Sequence, residues 1–73
     1  MTYQDGTEIR AGDRVLIERR RTPGVVINVI ESAASQAEWN VSEPGVMVES
    51  PPFGLVFLPV ATFAVDPPVF VSR

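Results

Sequence analysis

Proline and glycine interrupt this chain so often that only short structural elements fit between them. The 73 residues include seven Pro and five Gly. The segments between them are rich in β-branched side chains, with 12 Val and 4 Ile, and such side chains favour a pleated strand over a helix. Short strands separated by turn residues predict a small, mostly β domain. At this length, residues 1–73 are expected to form a single domain.

The turn residues divide the chain into a series of predicted strands. Gly12-Asp13 and Pro23-Gly24 are predicted turns, because Gly tolerates positive φ, Asp bonds to nearby backbone and Pro fixes φ. Pro51-Pro52 is expected to end a strand, since proline cannot donate to a sheet ladder. The predicted strands are one that ends near Ile9, followed by residues 14–19, 25–31, 46–50, 55–58 and 69–72.

Residues 32–40 contain the one predicted helix. Ser35 and Glu38 have the spacing of a capping box, and Asn40 suits the left-handed position that closes a helix. Trp39 is expected to anchor this short segment, and the sequence leaves open whether it lies in the core or at an interface. Residues 61–65 are predicted to form a turn or a short 3-10 helix.

Residues 5–30 resemble the start of a known barrel family. Gly12-Asp13-Arg14-Val15, a basic hairpin and then Pro23-Gly24-Val25-Val26 look like the opening of SH3-like barrels of the KOW and Tudor type. The resemblance implies a five-stranded bent barrel, in which Gly54-Leu55-Val56 would belong to a later strand. KOW-type nucleic-acid binders are usually Lys-rich, whereas this chain has no Lys. The resemblance therefore bears on the fold more than on a ligand.

The composition disfavours an enzyme. The chain contains no His, no Cys and no Lys, which removes the commonest general bases, nucleophiles and metal ligands. The carboxylates Glu31, Glu38, Glu43 and Glu49 are interpreted as a solvated acidic face rather than a catalytic pair. We expect no cofactor and no metal, and a binding role instead of catalysis.

The cluster Arg19, Arg20 and Arg21 is the only basic run. Arg side chains bind phosphate and carboxylate in a bidentate manner, so nucleic-acid or ribosome-associated binding through this loop is the alternative function. The net charge is −3, and non-specific affinity for nucleic acid depends on the cations that face the phosphates. We therefore expect the loop to be a solvated hairpin tip or part of a protein interface.

The leading hypothesis is a module that binds a protein partner. Aromatic side chains and Met commonly anchor interfaces, and the acidic balance would speed the capture of a cationic protein. A small bacterial immunity or antitoxin-like protein is one specific form of this hypothesis. The predicted partner-binding residues are Trp39, Glu43, Met47, Glu49 and Phe53, together with Arg19, Arg20 and Arg21.

Two further expectations concern assembly and location. The strand at residues 69–72 follows Pro67-Pro68 and is expected at a sheet edge, which makes a homodimer plausible. The apolar runs are far shorter than a membrane span, the start of the chain lacks the pattern of a signal peptide, and the absence of Cys fits a reducing compartment. We therefore expect a cytoplasmic protein.

Overall fold

The fold is built on one antiparallel sheet, which confirms the prediction of a mostly β domain. The structure is a computed structural model that describes residues 1–51 and 53–73. A short helix, α1 (Ala33–Glu38), connects the second and third strands, and a 3-10 turn (Val60–Thr62) connects the fourth and fifth. The strands are β1 (Arg14–Ile17), β2 (Thr22–Ile30), β3 (Gly45–Ser50), β4 (Gly54–Pro59) and β5 (Val69–Ser72), in the spatial order β4-β3-β2-β1-β5.

A cluster of buried apolar side chains lies on one face of this sheet, which we call the inner face. Alternate residues of β1 and β3 point to it, as the two-residue period of a strand requires. Val15 and Ile17 come from β1, and Tyr3 and Ile9 come from the segment that precedes it. The buried cluster is completed by β2 and β3 through Val26, Val46 and Val48.

The predicted turn at Pro23-Gly24 is wrong, because both residues belong to β2. Pro23 pairs with Leu16 and Gly24 pairs with Val15. The chain turns earlier, at residues 18–21. Gly24 is required by packing rather than by a turn: a Cβ on it would lie 2.5 Å from Cγ1 of Val48, closer than side-chain carbons approach one another.

The predicted strand ending near Ile9 is also wrong. Only an isolated bridge forms there, between Thr2 and Glu8. The reason is local, since the carboxylate of Asp5 accepts a hydrogen bond from the Thr7 amide at 2.9 Å and turns the chain back. The turn predicted at Gly12-Asp13 is confirmed, with a φ of +96° at Gly12.

Helix α1 begins one turn earlier than its predicted capping box. Ser32 is the N-cap, and its Oγ accepts from the Ser35 amide at 3.1 Å. The Ser35 hydroxyl accepts in return from the Ser32 amide at 3.2 Å, so Ser35 and Glu38 do not form the box. Asn40 has a φ of +56°, which confirms the left-handed position that ends the helix.

The second half of the chain agrees with the prediction more closely. The strands predicted at 46–50 and 55–58 correspond to β3 and β4, and the segment at 61–65 overlaps the 3-10 turn. β5 lies at an edge of the sheet, as expected for a strand after two prolines. Pro52, the second residue of the predicted strand stop, lies outside the described residues. No helix in the described part of the chain is long and apolar enough to cross a membrane.

Candidate functional site: the outer face of the sheet

One row of side chains crosses four strands on the face opposite the core, which we call the outer face. Arg14 of β1 pairs with Val25 of β2, Val25 pairs with Glu49 of β3, and Glu49 pairs with Leu55 of β4. Residues that pair directly across strands point to the same face. All four are exposed, including two apolar side chains, Val25 at 38% and Leu55 at 56%.

A bulge in β5 extends this row to the fifth strand. Arg14 pairs with Ser72 and Val15 pairs with Phe70, so Val71 is the extra residue of the edge strand. A bulge re-aims the side chain of its extra residue. Val71 is 54% exposed and lies beside Arg14. Ser72 pairs with Arg14, but Val71 is the exposed apolar residue of β5 that lines the same groove as Arg14. We therefore describe the row as Val71, Arg14, Val25, Glu49 and Leu55 from one edge of the sheet to the other.

A shallow apolar groove of about 390 Å³ opens on the same face. Its charged residues, Arg14 and Glu49, lie on opposite sides of Val25, and neither forms an ion pair within the described residues. Exposed apolar patches with a polar margin are typical of protein–protein contact sites. The apolar residues on the outer side of this groove are Leu16, Pro23, Val25, Pro51 and Val71.

The structure places two of the predicted partner-binding residues at the C-terminal end of β3. Glu49 belongs to the row itself. Phe53 lies in the turn between β3 and β4, one residue before β4 begins, and it is 67% exposed. Glu49 therefore lies on the outer face, and Phe53 lies in the exposed turn that follows β3.

The other predicted residues around β3 do not belong to the exposed row. Met47 lies two residues before Glu49 on the same face of β3, but it is buried, so it presents no exposed anchor to a partner. Glu43 precedes β3 and lines a different shallow pocket with Asn40. Trp39, the C-cap of α1, is half-buried, and its Nε1 is buried without a hydrogen-bond partner among the described residues. Of the predicted residues around β3, Trp39 and Glu43 thus precede the strand, whereas Glu49 and Phe53 lie at its other end.

The Arg loop between β1 and β2 is held in an uncommon conformation. Glu18, Arg19 and Arg20 have φ values of +52°, +57° and +68°, and side chains other than Gly rarely occupy this left-handed region. Asp66 restrains the loop, since its Oδ1 accepts from the Arg19 amide at 2.9 Å. Arg21 also extends into solvent from this loop.

The pocket beside this loop has mixed charge. Arg19 and Arg21 line it together with Glu18 and Asp66. The two carboxylates reduce the positive potential that a phosphate would require. The local arrangement therefore adds nothing specific to the prediction of phosphate binding by Arg19, Arg20 and Arg21.

A buried polar cluster surrounds Asp13, just before β1. Burial alone would raise the pKa of the Asp13 carboxyl, but hydrogen bonds from Tyr3, the Arg10 amide and Arg73 outweigh it and hold the pKa below its usual range. Burial and the same hydrogen bond to Asp13 raise the pKa of the Tyr3 hydroxyl. These three hydrogen bonds engage both oxygens of the carboxylate and hold the segment before β1 and the segment after β5 together, which is the arrangement of a structural cluster.

The outer-face residues that the sequence prediction missed are Arg14, Leu16, Val25, Leu55 and Val71. The sequence of β2 has apolar residues at both odd and even positions. This pattern indicates a strand with two apolar faces, one of which is available to a partner. The register between strands and the position of the bulge were needed to join these residues into one surface. Comparisons of the chain with protein-family models, curated proteins and solved structures found no match in any of the three.

Proposed function

We propose that this protein is a non-enzymatic module that binds a protein partner through the outer face of its sheet. The observation that carries the proposal is the apolar groove flanked by Arg14 and Glu49. Burying apolar surface drives most protein association, and charged groups around a patch fix its orientation and specificity. Phe53 and Leu55 extend the exposed apolar surface towards the β4 edge.

The chemistry of the described residues is consistent with binding. Among residues 1–51 and 53–73, no three potential metal-ligating side chains lie together. Two buried titratable groups, Tyr3 and Asp13, are joined by a 2.7 Å hydrogen bond, and neither lines the groove. The immunity or antitoxin-like role and the cytoplasmic location stay predictions. The SH3-like assignment is likewise our proposal, and the five antiparallel strands and their spatial order support it.

The experiment compares proteins captured by immobilised wild type and by outer-face variants. Leu55→Glu introduces a charge on the exposed face, and Val65→Glu is the matched control, because Val65 is 78% exposed outside the groove. We expect at least one protein that wild type and Val65→Glu retain equally and Leu55→Glu loses about tenfold or more. Retention of no protein above bare resin, a second copy of this chain included, or the same set with all three baits, would overturn the proposal.

Nucleic-acid binding through Arg19, Arg20 and Arg21 is the competing prediction. The exposure of all three side chains on one loop favours it. A salt titration decides between the two, since binding through phosphate contacts weakens steeply as salt rises. Absence of binding to mixed RNA and DNA at low salt would eliminate this alternative, and loss of binding in Arg20→Ser but not in Leu55→Glu would favour it.

A further inference from the structure

The charges on the outer face are arranged with opposite sign about a central apolar residue. Along the row, Arg14 and Glu49 occupy the strands on either side of Val25, and the apolar side chains Val71 and Leu55 lie at its ends. When the row is read from the opposite end, apolar residues again occupy its two ends and its centre. The basic and the acidic positions are exchanged. A surface with that property is complementary to a copy of itself.

We infer that the partner on the outer face is a second copy of this chain, related by a two-fold axis that runs along β2 through Val25. The inference rests on the proposed function of this face. A two-fold axis in the plane of the interface reverses positions along the row. Arg14 of each copy then faces Glu49 of the other, Val25 faces its equivalent, and Val71 faces Leu55.

Within a single chain, Arg14 and Glu49 do not pair with each other. Neighbouring strands are about 4.8 Å apart, so the backbones of Arg14 and Glu49 are separated by roughly 10 Å across Val25, and no ion pair joins the two side chains in the structure of the described residues. The second copy supplies both missing partners at once. It also keeps β2 of one copy roughly parallel to β2 of the other, which fits the aligned packing of two sheets.

The size of the surface indicates a weak dimer. Four strand spacings make the row roughly 19 Å wide, and a part of the sheet with this width gives an interface at the small end of specific complexes. Association should therefore depend on concentration in the micromolar range or above. Paired charges should make it selective, because like charges facing each other oppose association.

Charge reversal tests this arrangement directly. Arg14→Glu leaves two acidic residues in the row, and Glu49→Arg leaves two basic ones. Each variant alone should dissociate about tenfold or more readily than wild type in sedimentation velocity, whereas an equimolar mixture should form a heterodimer with all four charges paired. The double variant Arg14→Glu with Glu49→Arg should dimerise like wild type. Equal unfolding midpoints in urea verify that both variants remain folded.

The outcomes separate this inference from the proposed function. A wild-type chain that stays monomeric at about 500 µM, or single variants that dimerise as well as wild type, would overturn the two-fold dimer. If that monomer still captures another protein in a way that depends on Leu55, the proposed function stands, and only the identity of the partner is wrong. If neither association depends on the outer face, both are wrong.

Discussion

The Nε atom of Arg73 donates to the buried Oδ1 of Asp13 at 3.0 Å, across 60 positions of sequence. The other oxygen of Asp13 accepts from the Tyr3 hydroxyl at 2.7 Å and from the Arg10 amide at 3.0 Å. Arg73 also donates to the Glu8 carbonyl at 2.8 Å. One carboxylate thus joins the segment before β1 to the segment after β5.

Removing that carboxylate should destabilise the fold strongly. Asp13→Ala leaves the Tyr3 hydroxyl and the Arg10 amide without their acceptor and Arg73 without its counter-charge. We expect the free energy of unfolding to fall by about 2 to 3 kcal/mol, because the buried Tyr3 hydroxyl and the partly buried Arg10 amide lose their charged acceptor. Urea unfolding measures the loss. Asp5→Ala, which removes an exposed carboxylate from a local turn, is the control and should lose clearly less.

The lowered pKa of Asp13 predicts a loss of stability in acid. A carboxyl whose pKa is lower in the folded than in the unfolded state contributes its full stabilisation above the unfolded value. That contribution is lost as the pH falls from about 4 through the folded pKa. Urea midpoints measured from pH 6 downwards should therefore decrease below about pH 4, and Asp13→Asn should show a flatter profile. Identical profiles would contradict the assigned role of the carboxylate.

Gly45 should tolerate no side chain. A Cβ at this position would overlap the Leu58 carbonyl oxygen and the ring of Phe57, which lies 2.7 Å away. Because one of these neighbours is backbone, the strand itself must shift, and Gly45→Ala should cost roughly 2 kcal/mol. Ser42→Ala, at a nearby exposed residue, is the control. A neutral Gly45→Ala in urea unfolding would show that β3 and β4 are not packed as described.

The left-handed conformation of the Arg loop predicts a stabilising substitution. Arg20 has a φ of +68°, where Gly avoids the steric penalty of a Cβ. Arg20→Gly should raise the free energy of unfolding by about 0.5 to 1 kcal/mol, after allowance for the greater flexibility of Gly in the unfolded chain. Arg21, whose φ is not in this region, supplies the control, since Arg21→Gly should lower stability. Equal effects of the two substitutions would contradict the loop conformation.

Local chemistry made much of the fold predictable. Val69–Ser72 and its edge position followed from the prolines before it, and Asn40 followed from its tolerance of positive φ. Pro23-Gly24 misled the prediction because the same pair that forms turns can also occupy a strand, and only the contact of Gly24 with Val48 decides between them. Such long-range packing has no local signal.

The candidate site was less predictable for the same reason. Glu49 and Phe53 were identified by residue type. Both are exposed, Glu49 in β3 and Phe53 in the turn that follows it. Met47 was chosen by type as well, but it is buried, and residue type does not reveal that. Val25 and Val71 became visible as one surface only after the register and the bulge in β5 were known.

The most direct test of the account is chemical crosslinking at Val25, the residue placed on the two-fold axis. The chain has no Cys, so Val25→Cys introduces a single thiol. A short bis-maleimide that spans the roughly 10 Å between packed sheets should convert Val25→Cys to a covalent dimer far faster than Val65→Cys, and adding Arg14→Glu should abolish the difference. Equal crosslinking of Val25→Cys and Val65→Cys would contradict the claim that the outer face binds a second copy.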